Sequence, residues 1–277
     1  MTQSLAAVDA HDPLKAWRIA QAPYYEPVGD ELAWFTHAHR HRLPMLLKGP
    51  TGCGKTRFVE HMAHRLGRPL VTVACNEDMG AADLVGRWLL DAQGTVWQDG
   101  PLTQAVRHGA ICYLDEVAEA RPDALVAIHP LTDTRRALPL ERKGELLHAH
   151  PDFQLVVSYN PSDSAGGMAL KTSTRQRFVA WDFDYPTAEI ETQIVAHESR
   201  VPHETAARLV TIAQRSRALR EQGMNDCLST RMLVRAGTLI EGGMPAHQAC
   251  QTALVAALSD DADVLLALRA LVDAHFA

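Results

Sequence analysis

A chain of 277 residues, 47% hydrophobic and 22% charged, can bury the core of one large or two modest domains, and its net charge of -6 lacks the basic field of a general nucleic-acid binder. Five scattered cysteines without a C-x-x-C pair exclude a disulfide frame and a zinc ribbon, and read as reduced thiols of a cytoplasmic protein. The start has no export-signal pattern and no run of about eighteen apolar residues occurs, so neither secretion nor membrane insertion is expected.

In chain order, the first stretch carries Trp17 and Ile19 in a polar setting and predicts one short helix at most. Pro23-Tyr24-Tyr25-Glu26-Pro27-Val28-Gly29 reads as a rigid aromatic turn whose rings can wall an adenine or pack on the core. It leads into the helical pattern Leu32, Phe35, Thr36, His39. His37, His39 and His41 alternate, which on a helix sends them to different faces, so solvated side chains are expected in place of a metal tract.

Gly49-Pro50-Thr51-Gly52-Cys53-Gly54-Lys55-Thr56 satisfies G-x-x-x-x-G-K-[ST] at every fixed position. Its glycines let backbone N–H groups turn inward on a polyphosphate, Lys55 can reach the β and γ phosphates of ATP, and the Thr56 hydroxyl can sit on Mg²⁺. Met45-Leu46-Leu47 predicts the strand before this P-loop, and Phe58, Val59, Met62, Ala63 and Leu66 the helix behind it, stopped by Gly67 and Pro69. Leu70 to Ala74 is a short apolar run that suits a strand buried on both faces. Residues 87–90 and 95–98 flank Asp91-Ala92-Gln93-Gly94 as an inserted hairpin.

Ile111-Cys112-Tyr113-Leu114-Asp115-Glu116 is a buried strand with two carboxylates at its C-terminal end, where ligands bind in open α/β sheets. Asp115 is placed to hold the Mg²⁺ water shell and Glu116 to polarise the attacking water, a group that hydrolases need and small-molecule kinases do not. Pro122 opens a helix, and residues 135–140 and 145–148 flank Arg142-Lys143-Gly144 as a second hairpin. The strand 153–160 ends in Asn160, which in a parallel sheet lies beside Asp115 and orients the water, or else simply opens an Asn-Pro turn. Residues 162–167 read as a polar loop, 172–177 as a short helix carrying Arg175 and Arg177, and 178–183 as the last strand. Those arginines are solvated in a monomer; in a ring they can act as fingers on a neighbour's γ-phosphate. From Pro186 onward only helices are predicted, over 188–199, 203–222, 230–241, 245–258 and 261–276. Ser229 or Thr230 can cap the third, and Arg231 can project toward bound phosphate.

With these elements in order, the chain resembles the AAA+ ATPases, within them the MoxR group and its CbbQ/NorQ/NirQ branch, with similarity to the gas-vesicle protein GvpN. The stretches that carry the likeness are GPTGCGKTRFVEHMA (49–63), DLVGRWLLD (83–91), VWQDGPL (96–102), GAICYLDEVAEARPD (109–123), LVVSYNP (155–161) and LKTSTRQRF (170–178). The resemblance implies a P-loop three-layer α/β/α domain with a parallel sheet and two inserted β-hairpins over 1–185, followed by a small all-α lid domain over 186–277. It implies Asn160 as sensor 1, Arg177 and Arg175 as trans-acting fingers, Arg231 as sensor 2, and hairpins facing the pore of a homo-hexamer. It further implies an ATP-hydrolysing motor that works with a von Willebrand A domain adaptor of the CbbO/NorD type. The client it favours is rubisco, freed of inhibitory sugar phosphates, with nitric oxide reductase maturation as the alternative. The chain departs from the branch at Ser162-Asp163-Ser164-Ala165-Gly166-Gly167, where relatives continue with a Gly-Tyr-Gln-like stretch. A monomeric small-molecule kinase or GTPase is the rival class, opposed by Glu116, the hairpins, the helical last third and the lack of an Asn-Lys-x-Asp motif; a DNA-associated AAA+ regulator is opposed by the acidic balance.

Overall fold

The computed structural model describes residues 14–92, 94–161, 170–218 and 227–276, so the 162–167 loop lies outside the described residues. Two compact units are present: one takes residues up to 23, 30–49 and 56–182, the other 24–29, 50–55 and 183–277.

The first unit is built on a five-stranded sheet of β1 (Met45–Lys48), β2 (Leu70–Ala74), β5 (Ile111–Asp115), β8 (Gln154–Tyr159) and β9 (Val179–Asp182), in the order β2-β5-β8-β1-β9. Every pairing is parallel. β8 in the middle is buried at all its positions, as a strand covered on both faces must be. β2 departs from expectation, because Thr72 and Ala74 are exposed. It lies at the sheet edge beside β5, and its face is open at Thr72 and Ala74.

Helices α1 (Glu31–Arg40), α2 (Lys55–Arg65), α3 (Ala81–Val85), α4 (Pro101–His108), α5 (Pro122–Ile128) and α6 (Thr172–Arg175) connect the strands. On α2, Phe58, Val59, Met62 and Ala63 are fully buried, each of the larger three contributing about 1.5–3 kcal/mol. His37 and His41 are exposed while His39 is half-buried, and among the described residues no group of three or more His, Cys, Asp or Glu side chains can hold a metal. None of the five cysteines is in a disulfide.

Both predicted hairpins are present, β3 (Gly86–Asp91) with β4 (Gly94–Asp99), and β6 (Ala137–Leu140) with β7 (Glu145–His148). Trp88 sits across from Trp97, their rings edge to face with centroids 5.5 Å apart. The Trp88 indole N–H donates to the Arg142 carbonyl of the second hairpin at 2.9 Å. Arg107 of α4 braces both, 3.0 Å from Asp99 on β4 and 3.0 Å from Glu145 on β7.

The second unit has its own core, formed by α7 (Ala188–Ser199), α8 (His203–Ala218), α9 (Thr230–Glu241), α10 (Ala246–Cys250) and α11 (Ala262–Phe276) around Val195, Leu209, Ile212, Leu233, Leu254 and Leu268. α10 runs on as a π-helical turn over Gln251–Val255. The 24–29 turn belongs to this unit, where Tyr24 stacks on the His197 imidazole with centroids 3.7 Å apart. Among the described residues no helix is long and apolar enough to cross a membrane.

Candidate active site

The carboxylate end of β5 is a hydroxyl-lined anchor. Tyr113 and Asp115 are two residues apart on a strand and therefore share a face. The Tyr113 hydroxyl donates to Asp115 Oδ1 at 2.6 Å. The register that pairs Leu114 with Val157 brings Ser158 alongside Asp115, and the Ser158 hydroxyl donates to the same oxygen at 2.6 Å. Oδ2 takes the Thr56 hydroxyl at 3.0 Å. Burial, followed by the charge of Asp115, pushes the Tyr113 phenol far above its ordinary value, so it stays a donor. A hydroxyl and a carboxylate oxygen 3.0 Å apart are the hard ligands a magnesium ion takes, so Thr56 and Asp115 fit one.

Glu116 goes the other way. Its backbone is left-handed, φ 55 and ψ 46, which costs a non-glycine residue about 1–2 kcal/mol. Its N–H donates to Ser158 Oγ at 3.1 Å, one of the bonds that hold this turn. Asp115 thus stays inside the hydroxyl cluster while Glu116 is exposed and lines a cleft of about 400 Å³ with Cys75, Asn76, Tyr159 and Asn160. Asn160, two residues after Ser158, lines the same cleft as Glu116. Burial, then the charges of Asp115 and Glu116, pushes the Cys75 thiol up to about 12, so it is no nucleophile.

In the second unit the loop after β1 turns through Gly52 at φ 75 and Gly54 at φ 103. Lys55 is only 8% exposed and its ammonium donates to the Pro50 carbonyl at 2.9 Å, 4.0 Å from the Cys53 sulfur. Burial raises the Cys53 thiol, with the Lys55 charge opposing. A β-carbon on Gly52 would stand 2.6 Å from Ser229 Cβ and 3.5 Å from Arg231 Cβ, so the start of α9 packs on the loop and carries the exposed Arg231 with it. The expected cap is not made. Ser229 holds the N-cap position without a side-chain cap bond, and the Thr230 hydroxyl donates instead to buried Glu191 at 2.6 Å.

Arg175 and Arg177 are both exposed, on and just behind α6. Arg175 donates to Thr172 Oγ1 at 3.3 Å. Arg177 stands close enough to His129 that its charge, after burial, holds that imidazole below its ordinary value.

Residues 44–178 match the AAA domain (dynein-related subfamily), and residues 191–275 match the CbbQ/NirQ/NorQ C-terminal domain. Protein CbbQ of Hydrogenophilus thermoluteolus is 60% identical over 259 residues, covering 94% of this chain and 97% of that one. The chain belongs to the CbbQ/NirQ/NorQ family of AAA+ ATPases. The denitrification regulatory protein NirQ of Pseudomonas aeruginosa is 56% identical over 255 residues, covering 92% and 98%. A RuvB mutant from Thermotoga maritima shares the fold, with a TM-score of 0.52 at 17% identity over 89% of this chain and 71% of that one. As a CbbQ/NirQ/NorQ family AAA+ ATPase the chain binds and hydrolyses a nucleoside triphosphate, and the small-molecule kinase alternative falls.

Two residues of this cluster were not singled out from sequence, Tyr113 and Ser158. The i, i+2 spacing of Tyr113 and Asp115 was the available signal for the first; only the β5–β8 register reveals the second. Both donate to Oδ1 and so orient Oδ2 toward Thr56. Tyr113→Phe is expected to raise the Mg²⁺ concentration for half-maximal ATPase rate about ten-fold, the usual effect of losing an outer-shell partner. A Mg²⁺ titration of phosphate release, set beside ATP binding in EDTA that stays unchanged, checks it.

Proposed function

We propose that this chain is a ring-forming motor that couples ATP hydrolysis to the remodelling of a protein client in the cytoplasm. The observation that carries the reading is the divergence of the two adjacent carboxylates, Asp115 tied to three hydroxyls and Glu116 turned out into a cleft with Asn160. In this reading the loop 49–54 and Lys55 hold the phosphates, and Thr56, the next residue in the chain, acts with Asp115 on Mg²⁺. That ion supplies neutralisation of phosphate charge. Glu116 accepts the proton of the attacking water, and Asn160 orients it. Arg177, with Arg175 near it, meets the γ-phosphate of a neighbouring subunit, and Arg231 contacts phosphate from the helical lid. The exposed surface of the first hairpin, with Trp88 47% and Leu90 85% exposed, suits an element that grips other chains.

The favoured client is rubisco blocked by an inhibitory sugar phosphate, approached with a von Willebrand A domain adaptor of the CbbO/NorD type. CbbQ at 60% identity and NirQ at 56% stand nearly level as relatives, so nitric oxide reductase maturation is kept as the second reading. Mixing the chain, the adaptor and sugar-phosphate-inhibited rubisco with ATP is expected to restore carboxylation several-fold. No recovery, with ATP-dependent activation of nitric oxide reductase by the same pair, would move the client to the second reading.

A further inference from the structure

The second unit contains a polar network that neither the P-loop nor the arginine at the start of α9 requires by itself. Glu191, in the first turn of α7, is fully buried. Arg217 of α8 grips it with both terminal nitrogens, each 2.7 Å from one carboxylate oxygen, and the Thr230 hydroxyl adds a third bond at 2.6 Å. The Arg217 Nε–H donates to the Leu228 carbonyl at 2.9 Å, just before α9. The guanidinium carbon stands over the Tyr185 ring, 3.7 Å from its centroid. The Tyr185 hydroxyl donates to the carbonyl of Thr51, inside the P-loop, at 3.2 Å.

One buried carboxylate therefore ties down both ends of a short circuit. Through Thr230 it fixes the first turn of α9, where Ser229 touches Gly52 and Arg231 begins. Through Arg217 and Tyr185 it reaches the loop carbonyl next to Gly52. A buried ion pair is weak evidence for stability by itself, because apolar residues of similar volume replace such pairs at no loss in many proteins. What a forked ion pair with two parallel hydrogen bonds does supply is fixed geometry.

We propose that Tyr185, Arg217 and Glu191 are positioning residues that hold Arg231 in register with the P-loop, so that a nucleotide's phosphates meet loop and arginine together. The proposal rests on the reading of Arg231 and the loop as nucleotide contacts. A shift of the Thr51 carbonyl when phosphate enters the loop is passed through the Tyr185 hydroxyl and the Arg217 fork to the start of α9, and the reverse path sets the loop when α9 moves.

The test is a double-mutant cycle on the full chain, read as affinity for a fluorescent ATP analogue with Mg²⁺. Tyr185→Phe removes one hydroxyl and keeps the ring under Arg217. It is expected to weaken binding about five-fold, within the range of one lost hydrogen bond, with an unchanged melting temperature. Arg231→Ala weakens it as well, and the double variant is expected to bind no worse than Arg231→Ala alone. Independent effects that multiply, or a Tyr185→Phe variant that binds like wild type, would overturn the relay while leaving Arg231 as a contact. Wild-type binding by Arg231→Ala would remove the reading of Arg231 and the relay with it.

Discussion

Glu116→Gln is expected to bind ATP and release almost no phosphate. The amide has the shape of the carboxylate and keeps the cleft wall that Glu116 forms with Asn76 and Asn160, but it cannot take a proton from water. A positioned general base contributes about 10²–10⁴-fold, so turnover should fall by at least about 10²-fold. Binding should stay within about three-fold, because the bond from residue 116 to Ser158 is made by the backbone N–H, which the substitution keeps. The left-handed backbone at 116 is equally open to Gln, so the fold should melt as wild type does. Phosphate release and analogue binding on one preparation measure both quantities. Retention of a third or more of the rate would mean that the water is activated elsewhere, and the divergence of the two carboxylates would lose its catalytic meaning.

The parts legible in the sequence are those whose chemistry is local. A P-loop needs particular residues in one turn, and the strand, loop and helix around Gly49 to Thr56 follow from eight consecutive positions. The hairpins are legible for the same reason, since Asp91 to Gly94 and Arg142 to Gly144 are turn residues between β-like runs. What was not legible depends on which strand lies next to which. Ser158 reads as one more residue of an apolar strand until β8 is paired with β5. Tyr113 reads as core, and it is core, fully buried, yet its hydroxyl ends on Asp115. Strand order also decides that β2 is an edge, a fact absent from the Leu70 to Ala74 pattern. Thr230 looked like a cap because caps are local, whereas its partner Glu191 is 39 residues away. Local pattern therefore locates the site, and long-range pairing sets the orientation of its groups.

The second large effect is expected from one β-carbon. Gly52 at φ 75 and Gly54 at φ 103 both have positive φ, so alanine at either strains the backbone, and more so at Gly54, farther from the left-handed basin. Only Gly52 is also crowded, since its new β-carbon would stand 2.6 Å from Ser229 Cβ and 2.7 Å from Ser229 Oγ, whereas nothing lies within 4 Å at Gly54. Overpacking of that kind adds about 1–3 kcal/mol, and here the strain can be relieved only by moving the loop or the start of α9. Gly52→Ala is therefore expected to lose about ten-fold or more in ATP affinity through this contact, in addition to its backbone strain, whereas any loss by Gly54→Ala is backbone strain alone. Adding Ser229→Gly removes both contacting atoms, and the double variant should regain about ten-fold in affinity over Gly52→Ala. Analogue binding by the three variants decides the matter. Recovery assigns the loss to contact between α9 and the loop, the contact on which Arg231 rides. Failure to recover would assign it to the loop backbone alone and leave the packing of Ser229 on Gly52 without a part in nucleotide binding.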